Sequence, residues 1–234
     1  MKLRAIALST AAVVLFAACS GAATQAPAAS PTPTDAMMSH GPSASPDAMG
    51  GVMTDSAAAD LRTKLNLALG EHIILAAKAT DAALGGRSDE FAAYGGLLNT
   101  NGTDIGAMLG SVYGADAKDA FNAIWSAHNG FFVDYTTGVA TNDKAKMDKA
   151  VSDLTTIYLP QFVDFLAGAT DLPKDALTQL TQEHILTTKA IVDAQATMDW
   201  TATAAADRMA GQHMEMIADP LAKAIVAKLP DLFR

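Results

Sequence analysis

Glu71-His72-Ile73-Ile74-Leu75 is a phrase the chain uses twice: Glu183-His184-Ile185-Leu186 nearly repeats it, and Ala127-His128 falls midway. Fifty-six residues separate His72 from His128, and again His128 from His184. Asp81 and Asp193 each follow their histidine by nine residues, and Asp143 and Asp199 by fifteen. Such spacing predicts three copies of a repeat of about 56 residues, each a supersecondary unit that stacks on its neighbours.

Outward from these histidines the text has helical period. Leu65, Leu69, Leu75, Ala76 and Ala79 surround His72; Phe121, Ile124, Trp125, Phe131, Phe132 and Tyr135 surround His128; Leu177, Leu180 and Ile191 surround His184. Offsets of three, four and seven put each histidine on the apolar seam of a helix. His213, between Met209 and Met216, Ile217 and Pro220, falls on a fourth seam. Breaks at Gly85-Gly86, Tyr113-Gly114, Thr141-Asn142-Asp143, Gly168 to Pro173 and Met198-Asp199 divide the chain into helices over about 58–84, 88–112, 116–140, 143–168, 173–197 and 201–228. The expected fold is all-α, an up-and-down bundle of about six helices in three hairpins. Asp171 with Pro173 reads as a helix start, and Asp199 as an N-cap. Glycines 95, 96, 102 and 106 weaken the second helix, and Asn99 to Asp104 reads as a candidate break. Pro160 and Pro220 should kink the fourth and sixth helices.

Composition agrees. Half of the 234 residues are hydrophobic but only 6% aromatic, which suits helices packed through Ala, Leu, Ile and Met. The net charge of −9, with no basic cluster, argues against a nucleic-acid partner.

Residues 1–18 carry Lys2 and Arg4 ahead of a short apolar run, the layout of a secretory signal. The run ends Leu15-Phe16-Ala17-Ala18-Cys19, which resembles the bacterial lipoprotein box, with Phe16 where Leu is usual. Cys19, the one cysteine of the chain, is then the expected lipidation site, and the protein is expected outside the cytoplasm, lipid-anchored to the bacterial cell membrane. Residues 19–57 are rich in Ala, Ser, Thr, Pro and Gly and read as a tether, with residues 58–234 as the helical domain. Met37, Met38, His40, Met49 and Met53 crowd the tether and form a secondary candidate site for soft metal ions.

A buried imidazole needs a partner, either a hydrogen bond or a metal. His184 and His213 come level across the third hairpin and are the pair expected to meet. His72 and His128 share the layer, with Asn101 and Asp104 returning beside His72. His72, His128, His184, His213 and Asp104 are therefore the candidate ligands for copper or zinc. The alternative is a structural or partner-binding domain whose histidines are satisfied core groups. Glu71 and Glu183 point about 100° away from the adjacent histidines, so neither pair chelates. The Glu-x-x-His pairs of di-iron bundles are missing, as are a Ser-His-Asp arrangement, a phosphate loop and CxxCH, so a binding module is expected and not an enzyme.

Asp104-Ile105-Gly106, then Val112-Tyr113-Gly114, then His128, with a closing helix from His213 to Phe233, resembles a family of small bacterial extracytoplasmic helical proteins that read NQxDIG, then FYG, then a His-containing helix. Asn101-Gly102-Thr103-Asp104 stands here in place of the Asn-Gln pattern. The resemblance covers most of 61–234. It implies a helical fold and singles out His72, Asp104, His128, His184 and His213, without an activity.

Overall fold

The computed structural model describes residues 56–233. Cys19 and the tether residues Met37, Met38, His40, Met49 and Met53 lie outside the described residues. Seven α-helices follow in order: α1 (Ala57–Leu84), α2 (Ser88–Tyr113), α3 (Ala115–Thr141), α4 (Lys144–Asp153), α5 (Leu159–Thr170), α6 (Lys174–Ala196) and α7 (Trp200–Lys228). A π-turn, Leu154–Tyr158, joins α4 to α5 into one rod, so the bundle has six helical rods and, among the described residues, no strand.

Local chemistry sets the boundaries. Ser56, Asp143 and Asp199 accept hydrogen bonds from the backbone N–H groups of Ala59, Lys146 and Ala202 at 3.1, 3.0 and 2.9 Å, capping α1, α4 and α7. Asn142 closes α3 in the left-handed conformation. Asp171 does the same for α5 at φ 59°, so it ends a helix where the sequence suggested a start; α6 begins three residues later, behind Pro173.

Helices α1, α3 and α6 touch one another and form the inner layer. Each outer rod lies against two of them: α2 against α1 and α3, α4–α5 against α3 and α6, α7 against α6 and α1. The ring of six is therefore closed, with the last helix against the first. Leu65, Leu69 and Ile73 of α1, Phe121 and Trp125 of α3, and Ile185 and Ile191 of α6 share one core with Met214, Ile217 and Leu221 of α7.

The stretch Asn99 to Asp104 does not break α2. Its glycines serve close approach. A Cβ on Gly102 would stand 2.4 Å from Cδ1 of Trp125, and one on Gly106 would stand 2.1 Å from Oδ1 of Asn122. The helix-propensity loss of about 1 kcal/mol per glycine is offset by burial of the α3 aromatics against bare backbone. Gly102→Ala should therefore destabilise the fold by about 1–3 kcal/mol through overpacking. A denaturation midpoint unchanged from the parent, with unchanged Trp fluorescence, would refute this reading.

Pro160 is accommodated by the π-turn just before it. Proline donates no N–H and its ring crowds the carbonyl four residues back, and the wider turn relieves both. The turn ends on Tyr158, which it delivers to the core. No helix among the described residues is long and apolar enough to cross a membrane.

Candidate metal centre

The three inner helices each bring one histidine to the middle. His72 of α1, His128 of α3 and His184 of α6 are all buried. Their ring centroids form a nearly equilateral triangle, 5.4 Å from His72 to His128, 5.9 Å from His72 to His184 and 5.9 Å from His128 to His184. One nitrogen from each ring can be chosen so that all three lie within 4.8 Å of one another. The fifty-six-residue spacing thus marks three positions that one point in space brings together.

Aromatic rings frame the triangle. Trp125 lies 4.7 Å from His72 and 4.8 Å from His128, centroid to centroid. Tyr158 stacks on His128 at 4.7 Å with 22° between the planes. Phe132 meets both His128 and His184 edge-on. The surround is largely apolar, and among the described residues no carboxylate hydrogen-bonds to any of the three rings.

Hydrogen-bonding capacity is left over at this place. Nδ1–H of His128 donates to the Trp125 carbonyl at 2.9 Å, which sets the tautomer and puts the lone pair on Nε2. That Nε2, Nδ1 of His72 and Nδ1 of His184 are buried without a hydrogen-bond partner in the protein. Nε1 of Trp125 and the Tyr158 hydroxyl, whose rings pack on the triangle, are likewise buried without a partner. Orphaned buried polar atoms are rare in folded proteins, and several meeting at one core position point to a function.

Electrostatics keep the imidazoles neutral. Burial pushes the His72 pKa well below 6.5, and the neighbouring His128 and His184 lower it further. Burial brings His128 down to about 4, against the Trp125 hydrogen bond, which raises it. Burial, with His128 and His213 adding to it, brings His184 down to about 3. Burial also pushes the Tyr158 hydroxyl up, so it stays protonated. Neutral imidazole is the metal-binding form, so the fold holds three ligand-ready bases at neutral pH.

Two candidate residues fall outside the triangle. His213 sits on α7, an outer helix, and its Nε2–H donates to the Leu180 carbonyl at 2.8 Å. His184 packs against the rings of His72 and His128, and His213, the partner that the level-across-the-hairpin argument expected, lies nearby without joining the three that converge. Asp104 is exposed. Asn101 is the α2 residue that turns inward, donating from Nδ2 to the Ala68 carbonyl at 2.8 Å and to Glu71 at 2.9 Å. Glu71 and Glu183 are exposed beside their buried histidines, as the 100° turn requires. The Tyr135 and Thr187 hydroxyls do not partner the histidine rings: Tyr135 donates to Asp193 at 2.6 Å, and Thr187 to the carbonyls of Glu183 and His184. Sequence reasoning missed the part of Tyr158; the one signal was Pro160 inside a helical pattern, which announces a local widening.

No family model, no curated protein and no solved structure matches the chain.

Proposed function

We propose that this protein is a metal-binding module whose buried His72–His128–His184 centre holds one copper ion as Cu(I). The observation that carries the reading is the convergence of three buried histidines, one ring nitrogen of each within 4.8 Å of the others, with a buried unpartnered nitrogen on every ring. Imidazole serves copper and zinc alike. Charge separates them. The cost of bringing an ion into a low-dielectric interior grows with the square of its charge, and among the described residues no carboxylate joins the triangle to offset a dication. A monovalent ion with three neutral ligands suits the site better than Zn²⁺, which in three-histidine sites takes a fourth ligand.

At metal–nitrogen distances of about 2.0–2.1 Å, ligand nitrogens stand about 3.4 Å apart. Binding would draw the rings in by about 1 Å at the widest pair, within the reach of χ rotations and a small shift of the inner helices. A binding role fits the closed ring of helices around the site. With the signal and Cys19 read as a lipoprotein leader, the module would work at the outer surface of a bacterial membrane.

The test is stoichiometry by difference in the full-length chain. The parent should bind one Cu(I) more than the His72→Leu/His128→Leu/His184→Leu variant, and the imidazole nitrogen resonances of the three rings should shift on loading. Cu(I) at a thousand times its Kd should stabilise the parent by about 4 kcal/mol and the variant by less. Equal stoichiometry and unmoved ring resonances would leave the histidines as a structural layer. One equivalent of Zn²⁺ held more tightly than Cu(I) would keep the site and change the ion.

A further inference from the structure

A second cluster of metal-ligating side chains lies on the surface, where α7 runs beside α6. Met209, His213 and Met216 occupy positions i, i+4 and i+7 of α7, one face of the helix. All three line the same open groove of about 520 Å³. The two methionines are 53% and 59% exposed, large apolar groups left in water without covering residues. His213 between them is buried to 4% exposure. Its Nε2–H is given to the Leu180 carbonyl, which leaves the lone pair on Nδ1. A histidine that donates one ring N–H to a backbone carbonyl is held as metal-ligating histidines are held. Pro220, also on the groove, donates no N–H to the Met216 carbonyl.

Two thioethers and one imidazole are a soft donor set. It discriminates against Zn²⁺, Mg²⁺ and Ca²⁺ and favours the d¹⁰ monovalent ions Cu(I) and Ag(I). The groove also reaches the buried centre's flank. Glu183 and Thr187, on either side of His184 in sequence, line it, and His213 is near enough to His184 to depress its basicity.

We infer that Met209, His213 and Met216 form a solvent-accessible site for a monovalent soft metal ion, through which the buried histidine centre is loaded. The ion binds without change of oxidation state and passes from a sulfur-rich site to an all-nitrogen one. The loading step rests on the buried centre being a copper site; the groove site does not.

Ag(I), which resists redox change, is the probe for the groove. The full-length chain is labelled at the methionine methyl groups, and the Met209 and Met216 signals are assigned from Met209→Leu and Met216→Leu. Those substitutions preserve volume at exposed positions. Ag(I) should shift both methyl signals together, and should still do so in His184→Leu. Signals that stay unmoved at excess Ag(I), while tether methionines respond, would overturn the site. For loading, Cu(I) uptake is followed at the ring nitrogens of His72, His128 and His184 by rapid mixing. The Met209→Leu/Met216→Leu variant should fill the centre at least tenfold more slowly, to the same final occupancy. Equal rates would overturn the loading role. If the three rings take no copper but the methionine signals shift, the buried-centre reading fails and the groove site stands.

Discussion

Taking the metal-free protein from pH 6.5 to pH 5.5 should remove about 3 kcal/mol of folding stability, a sizeable part of what a domain of this size ordinarily has. In the unfolded chain the three central imidazoles take up protons near pH 6.5. In the fold His128 does so only at about 4, His184 at about 3, and His72 well below 6.5. Between those limits the unfolded chain holds more protons than the native one, so stability falls as pH falls. The stability is complete above about pH 6.5 and is lost progressively as acid approaches the folded values. Each histidine contributes about 1 kcal/mol over the step from pH 6.5 to about 5.5, because its unfolded imidazole goes from half to about nine-tenths protonated, and three act together. Asp219, held low by its hydrogen bonds to Arg62 and Asn66, gives way only in stronger acid. Asp207, whose carboxyl burial raises, works in the opposite sense. Urea midpoints measured across this range give the slope directly. The triple leucine variant should show a much flatter one, and a parent whose midpoint is the same at both pH values would show that the rings are not held neutral.

His184→Leu should stabilise the metal-free protein at pH 7.5 by about 1–2 kcal/mol, although His184 is buried at the centre of the fold. A buried nitrogen with no partner costs about 1–3 kcal/mol, and leucine fills similar space without one. His184→Ala removes the same nitrogen but leaves a cavity beside Phe132 and the other two rings, and should cost about 2–3 kcal/mol. The two substitutions thus separate what the side chain's bulk does from what its nitrogen does. With Cu(I) present the order should reverse, because only the parent gains from the ion. A leucine variant less stable than the parent without metal would make the imidazole a satisfied structural group.

Much of the bundle was legible because each boundary carries its own local chemistry. Asp143 and Asp199 cap, Asn142 and Asp171 turn left-handed, and the seams around His72, His128 and His184 announce a buried face. Asp171 shows the limit: the same residue type serves either end of a helix, and only the neighbouring backbone decides. The stretch through Gly102 misled because propensity is a property of one helix, whereas Gly102 is explained by Trp125 on another. The centre was legible in part. Equal spacing picked out three histidines but could not tell an inner helix from an outer one, so His213, level with His184, looked as eligible as His128. Asp104 failed for a similar reason. The buried face of α2 runs through Asn101 and Ile105, and Asp104, one residue from Ile105, stands about 100° round the helix.

The closed ring also sets an order of assembly. The hydrogen bond from Arg62 to Asp219 joins residues 157 apart in the chain, and α1 as a whole lies against α7. Contacts of such long range close slowly, and none of them exists before the C-terminal helix has been synthesised. Until then Leu61, Leu65 and Leu69 have one flank without its final cover. A nascent or truncated chain that stops before Trp200 would present that leucine strip to whatever chaperone or protease is at hand. Of the described helices, the first to be made is one of the last to be finished, and completion of the bundle waits on the twenty-nine-residue α7.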